Sequence, residues 1–329
     1  MPFAQIAGHR RLLQLTARAA RRGTLPPALV FGGPEGVGKR RAAVALAQIV
    51  NCAAPTEDAD ACGVCTSCAR IARGVHPDVF IVEPGDSGSI KIDQVREAIE
   101  RSAYRPFEGR RRVVIVDEAD AMAAEAQNAL LKTLEEPPSS SMFVLVTCRP
   151  DVLLPTVRSR CQRLRFGRLA AADVAGVLER DHEYAPDAAR AAAAAADGSV
   201  GRALEGSSEE YTDAREAAAA LLAGVAANAD PRSRIDSARG LAGGAPDREG
   251  LARRLRAAAS ILRDLGILLS RADERGLANA DLKPLLARLS KAFDGDRTLR
   301  AFSAIDRALD ALERNASPKI VADWVALQL

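Results

Sequence analysis

The stretch "PPALVFGGPEGVGKRRAAVALAQIVNC", residues 26–52, combines a short apolar run, a glycine-rich segment and a helical pattern. The apolar run ends in glycines, which predicts a buried strand that enters a loop. From position 40 onward, apolar side chains recur at helical spacing. The glycine-rich segment fits the phosphate-binding pattern G-x-x-x-x-G-K-[ST] up to Lys39, but Arg40 stands where the pattern requires a hydroxyl. The sequence therefore predicts a phosphate-binding loop with one altered position.

Length and composition indicate a folded protein of two or three domains. The chain has 329 residues, of which 48% are hydrophobic and only 4% aromatic, a balance that favours helix-rich packing. The net charge of +3 is too small for a strong nucleic-acid footprint. Neither a secretory signal nor an apolar run of about 20 residues is present. We expect a cytoplasmic protein that is not in a membrane, with its six cysteines reduced or bound to metal.

The first half of the chain alternates two kinds of pattern. After the strand that leads into the loop, further apolar strands are predicted at 76–84, 111–120 and 141–150. Helical patterns lie between them, at 40–52, 91–105 and 124–138. Strands that are apolar throughout and alternate with helices indicate a parallel sheet covered on both faces. Beyond residue 166 the strands stop, and helical spacing continues to the end of the chain, with one of its breaks at 243–247.

The glycine-rich segment lies between a strand and a helix, as phosphate binding requires. At Gly33, Gly36 and Gly38, backbone N–H groups can point at phosphate oxygens, and the following helix adds its dipole. Lys39 would reach the β and γ phosphates. The alternative is a glycine-rich turn that matches the pattern by chance.

Two acids support a nucleotide site. Asp117 and Glu118 follow the strand "VVIV" at its carboxyl end, where ligands bind in open α/β sheets. The first could hold the Mg²⁺ shell and the second could orient or deprotonate water, or both could merely cap the strand. Arg40 conflicts with this chemistry, because a guanidinium stays protonated and cannot bind a metal. We expect any ATP to bind through the loop and Lys39, with Mg²⁺-dependent hydrolysis weak or absent.

Four cysteines predict a metal centre. Cys52, Cys62, Cys65 and Cys68 form the pattern C-x9-C-x2-C-x2-C, which is typical of a structural Zn²⁺ site. The alternative is an iron–sulfur cluster, which cysteines at such spacing can also bind. A zinc-containing DNA-binding module is less well supported, because the segment lacks interleaved aromatics. Cys148 falls in the last predicted strand, which suggests a small buried residue.

The motifs together resemble those of the AAA+ clamp-loader ATPases. They are "GGPEGVGK", the four-cysteine insert, "VVIVDEAD", "NALLKTLEEPP" and "LLPTVRSRCQRLRF". The resemblance implies an α/β domain followed by an all-α part. It assigns a RecA-like AAA+ parallel-sheet domain to 1–166 with a zinc module at 52–68, a small helical lid to 167–207, and a helical collar for oligomerisation to 208–329.

Within that family the chain resembles the delta-prime subunits of bacterial DNA polymerase III. Such a subunit resembles a stator with a degenerate nucleotide site, in a five-subunit ring that loads the sliding clamp onto primed DNA. The implied partners are the gamma/tau motor subunits, the delta subunit, the clamp and, through the ring, primed DNA. The resemblance implies polymerase activity by association only, from a subunit that is not itself an active ATPase.

The resemblance also assigns roles to three residues. Arg160, in the motif "SRC", matches the arginine finger that reaches the ATP of a neighbouring subunit, and the alternative for it is a surface salt bridge. Thr147 matches the first sensor position. Arg202 falls one position late for the second sensor, which rotates its side chain by about 100° on a helix. The competing hypotheses are an active gamma/tau-like motor and an unrelated AAA+ remodeller, and the residue after Lys39 discriminates between them and the stator.

Overall fold

A computed structural model describes residues 2–227, 248–272, 277–314 and 316–329. The chain divides into two compact units, Met1–Arg168 and Leu169–Leu329. The prediction of an α/β part followed by an all-α part is confirmed.

The first unit contains a five-stranded parallel sheet in the order β2-β3-β4-β1-β5. Its strands are β1 Ala28–Gly32, β2 Val79–Val82, β3 Arg112–Val116, β4 Ser141–Thr147 and β5 Gln162–Arg165. Its helices are α1 Arg10–Arg21, α2 Lys39–Asn51, α3 Thr66–Ala72, α4 Ile92–Ala103, α5 Ala124–Glu135 and α6 Pro155–Arg158.

The central strands are buried on both faces, as their continuous apolar sequence predicts. Alternate residues of each strand contribute to two separate hydrophobic clusters. On one face, Leu29 and Phe31 of β1 pack in the cluster that includes Leu46 of α2. On the other face, Val30 packs in the cluster that includes Leu130 of α5. The four predicted strands are therefore confirmed, although β4 ends at Thr147 rather than at residue 150.

The fifth strand was not predicted. Its sequence "QRLR" is polar, and Leu164 is its only residue that is not exposed. β5 lies at the edge of the sheet and pairs only with β1, so it does not need the apolar pattern of a central strand.

The turn after β1 requires a glycine. A Cβ atom at Gly33 would lie 2.1 Å from the carbonyl oxygen of Phe166, just after β5. No side chain fits in that space, so the glycine lets the segment after β5 close against the start of the loop. The loop then passes through Gly38, at φ +92°, into α2.

The second unit is helical throughout its described residues. Its helices are α7 Ala171–His182, α8 Pro186–Ala195, α9 Val200–Ala203, α10 Ser208–Ala227, α11 Arg248–Leu269, α12 Lys283–Leu289, α13 Gly295–Glu313 and α14 Pro318–Gln328. One hydrophobic cluster includes residues from Leu169 to Leu329. The described helices include none whose length and apolarity would suit a bilayer.

The division of this unit into a lid at 167–207 and a collar at 208–329 stays a prediction. Helices from both ranges contribute to the same cluster. The predicted break at 243–247 lies outside the described residues.

Candidate functional site

The glycine-rich loop is closed by its own lysine. Lys39 is the first residue of α2, and its Nζ donates hydrogen bonds to the carbonyl oxygens of Gly33 at 2.8 Å and Pro34 at 2.5 Å. The residue is only 7% exposed, and burial lowers the pKa of its ammonium group. Lys39 and the loop are thus bonded to each other at the carboxyl end of β1, where the sequence predicts phosphate binding.

Arg40 fills the space between two acids. Its guanidinium forms an ion pair with Glu83 and another with Asp117, at 3.3 Å between Nη1 and Oδ2. Glu83 follows β2 and Asp117 follows β3, so both acids lie at the carboxyl edge of the sheet. A positive charge from the chain itself therefore stands beside the acid that was predicted to hold Mg²⁺.

The two acids after β3 have unequal surroundings. Asp117 is nearly buried, and this raises the pKa of its carboxyl group against the opposing effects of the Glu118 N–H bond and Arg40. Burial raises the pKa of Glu118, and the charge of Asp117 adds to the effect. Glu118 has a left-handed backbone at φ +47°. Both acids lie beside the loop, as predicted, whereas their predicted work on Mg²⁺ and water stays untested.

The hydroxyl of Thr147 is already engaged within the chain. Its Oγ1 donates to Asp120 Oδ1 at 2.7 Å and accepts from the Arg149 N–H at 3.0 Å. The side chain of Arg149 donates from Nε to the other carboxylate oxygen of Asp120 at 2.9 Å. Burial raises the pKa of Asp120, but the bonds from Thr147 and Arg149 outweigh it and leave the pKa low.

The interpretation of Cys148 as a small buried strand residue is wrong. β4 ends one residue earlier, and Cys148 is exposed with its Sγ 3.5 Å from Asp120 Oδ2. Cys148 and Arg149 are exposed directly after the strand, whereas Pro150 is buried again.

Arg160 and the glycine-rich loop of the same chain lie toward opposite edges of the sheet. Arg160 precedes β5, and its Nε donates to Glu135 Oε1 at 2.8 Å while Nη2 contacts the same oxygen. Its Nη1 donates to the carbonyl oxygen of Thr156 at 2.9 Å. Because α5 ends at Glu135 before β4 begins, the pair lies toward the amino ends of the parallel strands. The loop lies at their carboxyl ends.

Arg202 belongs to α9 of the second unit. Its backbone N–H donates to Ser199 Oγ at 3.1 Å, so Ser199 caps this short helix. The predicted role of Arg202 as a phosphate ligand stays a prediction.

The four predicted metal ligands converge. The sulfur atoms of Cys52, Cys62, Cys65 and Cys68 all lie within 4.8 Å of one another. Four sulfurs bound to one zinc ion at about 2.3 Å would lie roughly 3.8 Å apart, so a small contraction is enough to bind the ion. The donor set therefore fits Zn²⁺ with no open position.

Backbone N–H groups point at these sulfurs. Cys62 N donates to Cys52 Sγ at 3.3 Å, and Cys65 N donates to Cys62 Sγ at 3.3 Å. Cys68 N approaches Cys65 Sγ at 3.5 Å. Burial raises the pKa of Cys65, but the hydrogen bonds to its sulfur, first among them the one from the Cys68 N–H, outweigh it and bring the pKa to about 6. A Cys65 thiol with this pKa is mostly ionised at neutral pH. Burial raises the pKa of Cys52 and of Cys68, so a bound metal would have to displace their protons.

The cysteine segment is tied to the rest of the first unit. Asp60 accepts hydrogen bonds from the N–H groups of Phe3 at 3.0 Å and Ala4 at 2.8 Å. The side chain of Gln48 on α2 donates to the carbonyl oxygen of Cys68 at 2.7 Å. The segment therefore has polar anchors on both sides, in addition to the sulfur cluster.

Known families account for the same half of the chain. A family model described as "DNA polymerase III, delta subunit" matches residues 8–170. Over residues 8–170 the chain is thus similar to the clamp-loader AAA+ subunits of bacterial DNA polymerase III. The match includes the sheet, the loop, the four cysteines and Arg160.

Curated clamp-loader relatives match over similar ranges. DNA polymerase III subunit delta' of Pseudomonas aeruginosa is 42% identical over 135 residues, covering 41% of this chain and 41% of the relative. Subunit delta' of Bacillus subtilis is 39% identical over 156 residues, covering 47% and 46%. Subunit gamma/tau of Mycobacterium tuberculosis is 37% identical over 179 residues, covering 54% and 31%. The matches thus span less than half the length of each relative.

Solved structures align along nearly the whole chain. A gamma-subunit-related protein of Thermotoga maritima covers 96% of this chain and 97% of its own, with a TM-score of 0.42 and 18% identity. The clamp-loader delta protein of Bacillus subtilis covers 96% and 98%, with a TM-score of 0.34 and 12% identity.

Sequence reasoning missed the partners of the predicted residues. Glu83 carries a usable signal, because it follows an apolar strand as Asp117 does. Glu135 carries no such signal, because its pairing with Arg160 depends on how α5 packs beside α6.

We expect one Zn²⁺ per chain in protein purified without chelator. Cys65→Ser should lose the metal and lower the free energy of unfolding by several kcal/mol, since structural zinc can supply on the order of 10 kcal/mol of folding energy. Elemental analysis and urea unfolding would measure both. Cys148→Ser is the matched control, because it removes a thiol outside the cluster and should keep the metal. A Cys65→Ser protein that still holds one zinc ion would contradict the assignment. Iron instead of zinc in the wild-type protein would favour the iron–sulfur cluster.

Proposed function

We propose that the chain is a clamp-loader subunit of the delta-prime type. It acts in the cytoplasm as a stator of the replicative DNA polymerase III holoenzyme, where the ring loads the sliding clamp onto primed DNA during DNA replication. It does not hydrolyse ATP itself, and it donates Arg160 to the nucleotide of a neighbouring gamma/tau subunit. The family of residues 8–170 and the two delta' relatives support this assignment.

The observation that carries the proposal is the pairing of Arg40 with Glu83 and Asp117. A guanidinium is always protonated, so it compensates these carboxylates at every relevant pH. Mg²⁺ would have to displace it and then remain close to a fixed positive charge. The loop can still offer N–H groups and Lys39 to phosphates, but the metal that hydrolysis requires is disfavoured.

The position of Arg160 supports action on another subunit. It lies toward the amino edge of the sheet, whereas a nucleotide on the chain's own loop would lie at the carboxyl edge. An arginine supplied in trans stabilises the negative charge that develops on the transferring phosphoryl group. Glu135 and the Thr156 carbonyl hold the guanidinium in place, and phosphate oxygens of a neighbour can replace the single carboxylate.

Zinc has a structural role in this proposal. Cys52, Cys62, Cys65 and Cys68 would hold the ion in a closed tetrahedral site that offers no position to a substrate. Zinc would supply folding free energy to a segment with little apolar core of its own.

The second candidate is an active gamma/tau-like motor. The observation that favours it is the 37% identity to a gamma/tau subunit over 179 residues, a longer range than either delta' relative provides. The loop, Lys39 and both acids after β3 are also present. The two candidates differ in what Arg40 does to the metal.

Replacing Arg40 by threonine should create a dependence on Mg²⁺. The wild type should bind ATP equally in Mg²⁺ and in EDTA, or bind none. In Arg40→Thr, a hydroxyl joins two freed carboxylates, so Mg²⁺ should strengthen ATP binding by at least about tenfold. Calorimetric titration in both buffers would measure this. Arg41→Thr removes the same charge from the next, exposed residue and should behave as wild type.

Two outcomes would contradict this view of the site. One is strong Mg²⁺-dependent binding and hydrolysis by the wild-type chain alone, which favours the motor. The other is an Arg40→Thr protein with unchanged affinity in both buffers.

Arg160→Ala should impair a complex that assembles normally. In a ring formed with gamma/tau, delta, clamp and primed DNA, single-turnover hydrolysis at the neighbouring site should slow by roughly 10³-fold or more. Gel filtration should show an unchanged complex. Arg158→Ala is the matched control, because Arg158 is also surface-paired, with Asp151 at 2.8 Å, and should leave turnover intact. Equal turnover in rings with wild-type chain and with Arg160→Ala would show that Arg160 forms only a surface salt bridge.

A further inference from the structure

A second surface of the first unit carries groups that the proposed function does not use. Residues 104–111, "YRPFEGRR", connect α4 to β3. We call this segment the aromatic–arginine loop. Because it leads into the first residue of β3, it lies at the amino edge of the sheet, opposite the glycine-rich loop.

The loop exposes two aromatic rings. Tyr104 is 61% exposed and Phe107 is 81% exposed. Among the described residues they are the only large aromatic side chains classed as exposed, although the chain has eight Phe, three Tyr and one Trp. Two exposed rings three residues apart therefore mark a candidate contact surface.

The loop also concentrates unpaired positive charge. Within the described part of the chain, the guanidinium groups of Arg105, Arg110 and Arg111 make no ion pair and no hydrogen bond. The one acid of the loop, Glu108, is occupied by Arg70, at 2.7 Å between Nη1 and Oε2. The loop therefore presents three cations without a local counter-charge.

The backbone of the loop is held rigidly. The carboxylate of Asp78, itself fully buried, accepts hydrogen bonds from the N–H groups of Phe107 at 2.7 Å, Glu108 at 2.9 Å and Gly109 at 2.7 Å. Asn51 Oδ1 accepts from the next two N–H groups, at 2.8 Å and 2.9 Å. A ligand would therefore meet side chains on a fixed backbone and pay little ordering entropy.

The supports of the loop lie beside the cysteine cluster. Asn51 directly precedes Cys52, and Arg70 follows Cys68 by two residues. A Cβ atom at Gly109 would lie 2.6 Å from Asn51 Oδ1, so the glycine permits this close contact. The zinc module and the base of the loop thus share the end of α2 and the helix α3.

We propose that the aromatic–arginine loop binds single-stranded nucleic acid. Bases would stack on Phe107 and Tyr104, and phosphates would pair with the arginines, which combine in this way in many single-strand binding grooves. A duplex keeps its bases stacked on one another, so exposed rings favour a single strand. An apolar protein partner would bury three unpaired guanidinium groups at a high desolvation cost.

The test is fluorescence anisotropy of a labelled 20-nucleotide single strand, titrated with the full-length chain in the absence of nucleotide. Phe107→Ala and Tyr104→Ala should each weaken binding roughly fivefold to hundredfold, as loss of one stacked base does. Arg105→Gln should weaken binding and flatten its salt dependence. The controls are Leu299→Ala, an exposed apolar residue of the second unit, and Arg22→Gln, an exposed arginine outside the loop; both should bind as wild type.

Three outcomes would overturn the proposal. Unchanged affinity for the single strand in both aromatic variants would show that the rings do not stack on bases and that binding is only electrostatic. A duplex of the same sequence bound as tightly as the single strand would exclude stacking. Absence of single-strand binding, together with loss of clamp binding in Phe107→Ala, would make the loop a protein-docking surface. None of these measurements involves ATP or Arg160, so each result is independent of the stator proposal.

Discussion

The ion pairs of Arg40 with Glu83 and Asp117 are the constraint on which the functional account depends. All five parallel strands have their carboxyl ends at one edge of the sheet, and the acids that follow β2 and β3 would repel one another there. In an active site of this kind a divalent metal relieves that repulsion. Here a side chain of α2 supplies the positive charge, so the edge is electrostatically compensated by the chain alone.

The two edges of the sheet carry different groups. Its carboxyl edge carries the closed glycine loop, whereas its amino edge carries Arg160 and the aromatic–arginine loop. A chain whose acids at one edge of the sheet are compensated internally can still present an arginine and an exposed surface at the other edge. The four-cysteine segment packs against α2, and Cys52 and Cys68 belong to the same hydrophobic cluster as Leu46 of that helix.

Sequence predicted the parts of the fold that are set by local pattern. The strands β1 to β4 are apolar because both faces of the sheet are covered, and the four cysteines converge because their spacing is short. β5 was missed because an edge strand needs few apolar residues. Cys148 was misplaced because β4 ends at Thr147, three residues before the end of the predicted strand. Glu135 could not be predicted as the partner of Arg160, since the two are 25 residues apart and meet through helix packing.

The most direct test of the central claim is ATP turnover by an assembled clamp-loader ring in which this chain alone carries Lys39→Met. The substitution removes the ammonium group that donates to the Gly33 and Pro34 carbonyls, and it keeps most of the buried aliphatic volume. If this chain acts only on its neighbour's nucleotide, turnover and clamp loading should match those of the wild-type ring. A large loss of turnover, in a ring that assembles normally, would show that the chain hydrolyses ATP at its own loop and would contradict the stator assignment.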